Sequence, residues 1–211
     1  MPKTKNAIEA LQHLREGNIR FSNNLRDPDA VATHAKRVEL TAGQDPFAVI
    51  LGCSDSRVPA EMVFDQGLGD LFVIRVAGNI VAPSQIGSVE FAVSRFGTRL
   101  VIVLGHSKCG AITATIDELA RGNSSPSKNI SSIVDRVKPA VESLMCTDLK
   151  NDPDKLVEAA VRANVRVSAN QLRHGSEIIE NLIQNDGLLI VGAEYCLETG
   201  VVDFFDGMPK D

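Results

Sequence analysis

Apolar residues arrive along this chain in two rhythms. From Asn6 to about Asn23, the residues Ala7, Ile8, Leu11, Leu14, Ile19 and Phe21 recur mostly at three- and four-residue spacing. That spacing predicts an amphipathic helix, lying on the surface of the domain or across a partner subunit. Farther on, the apolar residues come in short unbroken runs: Pro46 to Gly52 (PFAVILG), Asp70 to Val76 (DLFVIRV), Arg99 to Gly105 (RLVIVLG) and Leu188 to Glu194 (LLIVGAE). Runs this continuous and this rich in Val, Ile and Leu read as strands covered on both faces, as in a parallel sheet. Thr199 to Phe205 fits a fifth strand at the edge.

Turn and cap residues divide the rest. Residues 24 to 45 carry Pro28, Gly43 and many polar side chains, an irregular excursion with room for one short helix. Pro59 opens a short helix to Val63 that Gly67 and Gly69 close. After Ala77-Gly78-Asn79, Ser84 can cap a helix to about Phe96, and another runs from Cys109 or Gly110 to Arg121. Gly122 to Ser127 reads as loop. A helical stretch follows to about Gln184, broken near Asn151-Asp152-Pro153, before Asp186-Gly187 turns into the fourth strand. Strand, helix, strand at this spacing predicts an α/β fold. We expect a mostly parallel central sheet of four strands plus an edge strand, flanked by helices, with an N-terminal helical arm. The expectation is a single domain over residues 1–211, with the arm at 1–45 and the core at 46–211.

Composition removes several classes. At 211 residues, 44% hydrophobic, the chain suffices for one domain with a full core. A net charge of -5 argues against a nucleic-acid partner, which would call for a basic stripe. No apolar run approaches the roughly 20 residues of a bilayer span, and Met1 to Lys5 lead into no signal-like apolar segment. Four cysteines are too few for a disulfide framework. Metal-bound or free thiols suit a reducing compartment, so a cytoplasmic location is expected.

The chemistry collects behind two of the runs. Cys53-Ser54-Asp55-Ser56-Arg57 follows the first, and His106-Ser107-Lys108-Cys109 follows the third. In a parallel sheet such residues sit at the carboxyl edge, where ligands bind. Cys53 and Asp55 are two apart and His106 and Cys109 three apart, so both pairs can turn toward one point. Thiols with an imidazole suit a soft-to-borderline divalent ion, zinc first. His13, His34, His174, Cys146 and Cys196 read as ordinary packing or surface residues. The glycines at 105 and 110 imitate a phosphate loop, but Ala111 and Ile112 stand where Lys and Ser or Thr would be needed.

Taken together, these two motifs resemble those of the β-class carbonic anhydrases, closely over about residues 44 to 112 and more loosely in the final strand. The resemblance implies one Zn2+ per subunit on Cys53, His106 and Cys109, and a homo-oligomer, a dimer or paired dimers forming a tetramer. It implies reversible hydration of carbon dioxide to bicarbonate and a proton by a zinc-bound hydroxide. Asp55 would orient that hydroxide and Arg57 would hold Asp55 through two hydrogen bonds; in a closed form Asp55 would itself be the fourth ligand. Gln44 would offer its amide to a substrate oxygen, and Phe72, Ala77 and Phe91 would line the pocket, some from the neighbouring subunit. Arg75 and Tyr195 match a regulatory bicarbonate site of part of the family, but Ile50 replaces its tryptophan. The open form, with Asp55 on Arg57, is therefore expected. Two other functions fit the same donors: hydrolysis of carbon disulfide, or a zinc-stabilised dimer with no catalysis. The first keeps the site and changes the substrate; the second has no use for Asp55, Arg57 or Gln44.

Overall fold

A computed structural model describes residues 6–25, 33–122 and 127–209 of the chain; the basic N-terminal residues and most of the Gly122 to Ser127 loop lie outside that range. Five strands form one sheet in the order β2-β1-β3-β4-β5: β1 Ala48–Gly52, β2 Leu71–Arg75, β3 Leu100–His106, β4 Leu189–Tyr195 and β5 Val202–Asp206. The first four are parallel and β5 runs antiparallel to β4, so the expected edge strand is present. Every residue of β1 and β3 is buried, which is why neither shows a polar alternation.

Alternate residues of these strands face two cores. Ile50, Ile102, Leu104 and Ala193 meet α1 (Ala7–Ser22) and α3 (Ala60–Val63) through Leu11, Leu14 and Val63. On the other face, Val49, Leu51, Val101, Val103 and Ile190 meet α4 (Pro83–Arg95), α7 (Pro153–His174) and α8 (Glu177–Asn185). A third cluster lies around Cys53 and Cys109, under α6 (Lys128–Met145) and the start of α7.

Most sequence-derived boundaries fall within two residues, and α5 (Gly110–Arg121) begins and ends as expected. The excursion before β1 holds α2 (His34–Leu40). The α3 helix ends at Val63 as expected, and the chain turns at Asp65, which takes a left-handed conformation (φ 49°). Two details differ. Ala82 rather than Ser84 is the N-cap of α4, because Pro83 already fixes the first helical turn. The helical stretch also breaks a second time, at Gly175-Ser176, where the Ser176 side chain caps α8 by accepting from the Ile179 amide.

The first helix is fastened to the body of its own chain. Asn18, buried, donates to the carbonyls of Val63 (3.1 Å) and Gly200 (2.9 Å) and accepts from the Val202 amide (2.8 Å). One residue earlier, Gly17 lies so close to α3 that a Cβ there would stand 1.8 Å from the Phe64 carbonyl oxygen. A backbone atom cannot step aside as a side chain can. Gly17→Ala is expected to cost about 1–3 kcal/mol of unfolding free energy or more, read from urea denaturation at fixed protein concentration; an unchanged midpoint would contradict this packing.

Candidate metal centre

Strands β1 and β3 are parallel neighbours in register, Gly52 opposite Leu104, so the segments that leave them emerge side by side. Cys53 follows β1, His106 ends β3, and Cys109 is the N-cap of α5. Between the last two, the Ser107 amide donates to the Tyr195 carbonyl (2.9 Å) and Lys108 turns the chain with φ 55°. That left-handed turn brings Cys109 back beneath His106. A non-glycine residue adopts it only under external constraint. Here the adjoining Ser107 is tied on two sides, its amide to Tyr195 and its Oγ accepting from the Leu197 amide (3.0 Å), and Arg57 Nη2 donates to the Lys108 carbonyl (3.5 Å).

The two sulfurs lie 4.0 Å apart, and one ligand atom from each of Cys53, His106 and Cys109 falls within 4.8 Å of the others. All three residues are buried, with exposures of 5%, 0% and 1%. His106 Nδ1 donates to the Ser107 carbonyl at 2.9 Å, which fixes the tautomer and leaves Nε2 as a bare acceptor. That Nε2 is buried and has no hydrogen-bond partner among the described residues. Such an atom is costly unless it meets an electrophile. Tetrahedral zinc with sulfur at about 2.3 Å sets two thiolates about 3.8 Å apart, so this donor set fits zinc as it stands.

Electrostatics favour the same occupant. The Cys53 thiol is pulled far below its ordinary range, chiefly by the S–H of Cys109, with the Gly78 and Asp55 amides adding to it against the cost of burial. Cys109 is pushed up, first by that same bond to Cys53 and then by burial. The two thiols thus share one proton, and a dication is the species that lets both ionise.

Asp55 stands just outside this triad, Oδ2 3.8 Å from His106 Nε2. Arg57 grips it on both oxygens: Nε to Oδ1 (2.9 Å), Nη2 to Oδ2 (2.7 Å), and its own amide to Oδ1 (3.0 Å). This pairing holds the Asp55 carboxyl well below the usual carboxylate range. Ala77 is close by, half-buried, at the head of a short 3-10 turn (Ala77–Asn79) whose Gly78 amide donates to Cys53 Sγ at 3.4 Å.

Other expected residues lie elsewhere in the chain. Gln44 is exposed, four residues before β1 begins, at the opposite edge of the sheet from Cys53. Phe72 pairs with Val49 in the amino half of the sheet, and its ring contacts Phe91 (6.2 Å between centroids) and Phe96 (6.0 Å). Phe91 is 54% exposed. Tyr195 is buried with its ring tilted toward Phe21. Arg75 spends its guanidinium on the carbonyls of Cys53 (3.0 Å) and Asp55 (2.6 Å), so it clamps the metal loop. Sequence reasoning assigned it no such task. The available signal was its position as the last residue of the strand beside β1.

Comparison with known proteins points one way. A sequence model of the family described as carbonic anhydrase matches residues 48–202. Carbonic anhydrase 2 of Mycobacterium tuberculosis is 39% identical over 201 residues, covering 95% of this chain and 93% of the relative. The carbonic anhydrase of Mycolicibacterium smegmatis is 37% identical over 205 residues, covering 96% and 95%. Among solved structures, the β-carbonic anhydrase CafA of Aspergillus fumigatus superposes with a TM-score of 0.73 at 23% identity, over 96% of this chain and 92% of that one. The β-carbonic anhydrase CcaA gives 0.72 at 28% identity, over 95% and 93%.

Elemental analysis of the freshly purified protein is expected to give one zinc per chain. Cys53→Ser or Cys109→Ser should remove most of it, and a full complement of zinc in either variant would rule out this ligand set.

Proposed function

The chain belongs to the β-class carbonic anhydrase family, and from that premise we propose which of its residues carry the reaction. The activity is the zinc-dependent reversible hydration of carbon dioxide to bicarbonate and a proton. The observation that carries the reading is the buried Cys53-His106-Cys109 triad with an Arg57-held carboxylate beside it. Bound zinc supplies the Lewis acidity that makes water nucleophilic near neutral pH, moderated by the charge that two thiolates donate.

The protein's own residues do the positioning. Asp55 is ionised throughout the neutral range, so it can only accept a proton in a hydrogen bond. Arg57 occupies one position on Oδ2 and leaves acceptor capacity there. We assign that capacity to the attacking oxygen, whose lone pair Asp55 thereby aims at the carbon of the substrate. Arg57 has the second task of keeping Asp55 off the metal, so that the enzyme rests in its open form. Asp55 serves as a fourth metal ligand only if that grip is lost. Ala77 forms an apolar wall suited to a small apolar substrate.

We place Gln44, Phe72 and Phe91 in the pocket of a second copy. Each of them lies at the amino end of the sheet, on the far side from its own Cys53, yet Gln44 and Phe91 are exposed. The second copy is also suggested by the open edge of β2 and by Ile8 and Ile19 of α1, more than half exposed. The working unit is then a homodimer of single-domain chains, which can pair further into a tetramer. All four cysteines are free thiols, and no helix among the described residues is long and apolar enough to cross a membrane. Reduced thiols suit the cytoplasm, where we place the enzyme.

Stopped-flow measurement of carbon dioxide hydration tests this reading directly. Asp55→Asn should lower kcat by about 10²–10⁴-fold while zinc content is retained; a variant that turns over normally would remove Asp55 from the mechanism. The sign of the pH dependence follows from its depressed pKa. Asp55 becomes protonated only below the usual carboxylate range, so it cannot shape the profile above pH 5. The wild-type rate should therefore rise toward alkaline pH with the ionisation of the activated water, and a flat profile between about pH 6 and 9 would contradict this. Sedimentation should give a dimer or larger. Phe91→Glu should weaken that assembly and the activity together; full activity in a monomer would exclude a shared pocket.

A further inference from the structure

We propose that Asn164, in the middle of α7, is a positioning residue for the metal centre: it holds the turn that presents a backbone N–H to the Cys53 sulfur. The inference rests on the zinc reading of the site and concerns a residue on a different element from every ligand.

Asn164 sits on a mostly apolar buried stripe of α7. Its neighbours there are Ala160, Val161, Val165, Ala169 and Leu172, with Ser168 the one other polar member, and Asn164 itself is 1% exposed. An amide in such a place carries a desolvation penalty unless its polar atoms are matched. Only half of this one is. Nδ2 donates to the Gly78 carbonyl at 2.8 Å, while Oδ1 has no partner among the described residues. The position thus accepts an unmatched carbonyl for the sake of one donated bond. Because the acceptor is a main-chain oxygen, the nitrogen of the amide must face it.

The backbone that receives this bond needs holding. Gly78 (φ 72°, ψ 15°) and Asn79 (φ 44°) are both left-handed, two in succession three residues beyond the end of β2. Such a turn persists only when its surroundings over-determine it. Gly78 is bonded on both sides of its Cα: its carbonyl accepts from Asn164, and its N–H donates to Cys53 Sγ at 3.4 Å. The Asn79 N–H, in the same peptide plane as that carbonyl, donates to the Val76 carbonyl (3.0 Å), so the plane is pinned at both ends and the turn that carries the Gly78 N–H is held with it.

What the N–H does follows from charge. A donor aimed at a thiolate spreads its negative charge and weakens its donation to a metal, which leaves the metal a stronger Lewis acid. It also matches a sulfur that is otherwise enclosed among Ile80, Val137 and Val161. Loss of the anchor frees the turn and lets the Cys53 thiolate donate more of its charge, with the Asp55 amide left as its main-chain donor.

The test uses Asn164→Leu, the same in branching and heavy-atom count and without a donor. In protein shown to be folded by circular dichroism and thermal melting, zinc affinity measured by chelator competition should fall about tenfold, because the freed turn no longer holds Cys53 in place for the metal. The sulfur-to-metal charge-transfer band of the cobalt-substituted variant should move to lower energy, and the alkaline rise of kcat/KM should shift to higher pH. A folded variant with unchanged zinc affinity and an unmoved band overturns the proposal, since a purely packing role for Asn164 would leave both alone. Should the variant not fold, the wild type decides. In 113Cd-substituted, 15N-labelled protein, scalar coupling between the metal and the Gly78 amide proton supports the relay, and its absence refutes it. Wild-type protein that binds no stoichiometric zinc or cadmium would strike the metal reading itself, a different failure from an indifferent variant.

Discussion

Parallel pairing of β1 with β3 is the constraint on which everything else depends. Because the two strands run the same way and in register, their carboxyl ends stop at the same level, and the loops that follow must leave from adjacent points. Two motifs more than fifty residues apart in the chain, at Cys53 and Cys109, thereby deliver sulfurs 4.0 Å from one another. An antiparallel pairing would send one of them to the far edge. The continuous burial of both strands makes this register hard to slip, since a one-residue shift would exchange Ile50 and Leu51, or Ile102 and Val103, between two packed faces.

Burial and charge are then set against each other by design of the site. Two thiols and an imidazole enclosed to within a few per cent of complete burial form a poor core but a good ligand set, because the same enclosure that penalises them when empty-handed strengthens their attraction for a dication. Asp55 is treated the opposite way. It is kept at the rim, ionised by a bidentate arginine that is itself more than half exposed. One group of residues is therefore tuned for holding a cation and the other for holding a proton acceptor in a fixed direction. Arg75 joins them, tying the carbonyls of Cys53 and Asp55 to the end of β2.

How much of this was legible in the sequence depended on how local the cause was. The strands announced themselves as unbroken apolar runs, and the ligands announced themselves by residue type and by following those runs. The Asp55-Arg57 pair could be read because its partners are two residues apart. Gly175 as a second break in the long helical stretch was less visible, because a lone glycine in a helical pattern is ambiguous and Ser176 does the capping. Arg75, Asn18 and Asn164 were not legible as anchors, because each acts on a main-chain carbonyl distant in sequence, and any residue type can offer a carbonyl. What the sequence does carry for Asn164 is an anomaly, an amide in register with Ala160 and Ser168 on a stripe that is mostly apolar.

That anomaly gains weight from the way α7 is seated. Gly105 of β3 and Gly192 of β4 both lie beneath Val165, and a Cβ on either would stand 2.5 Å or 2.8 Å from its methyl groups. The helix consequently rests on the sheet itself, with no side chain between to take up slack. Farther along, Arg162 pairs with Glu194 and Asp203 and stacks on the Phe205 ring, and Arg173 pairs with Asp206, so α7 is also laced to β5. A helix held against two strands and an edge offers a rigid frame. Val165, the residue that touches both glycines, is the immediate neighbour of Asn164. A hydrogen bond from a side chain so placed can hold the turn carrying Gly78 to within about 0.5 Å, the tolerance that a group positioned beside a site requires.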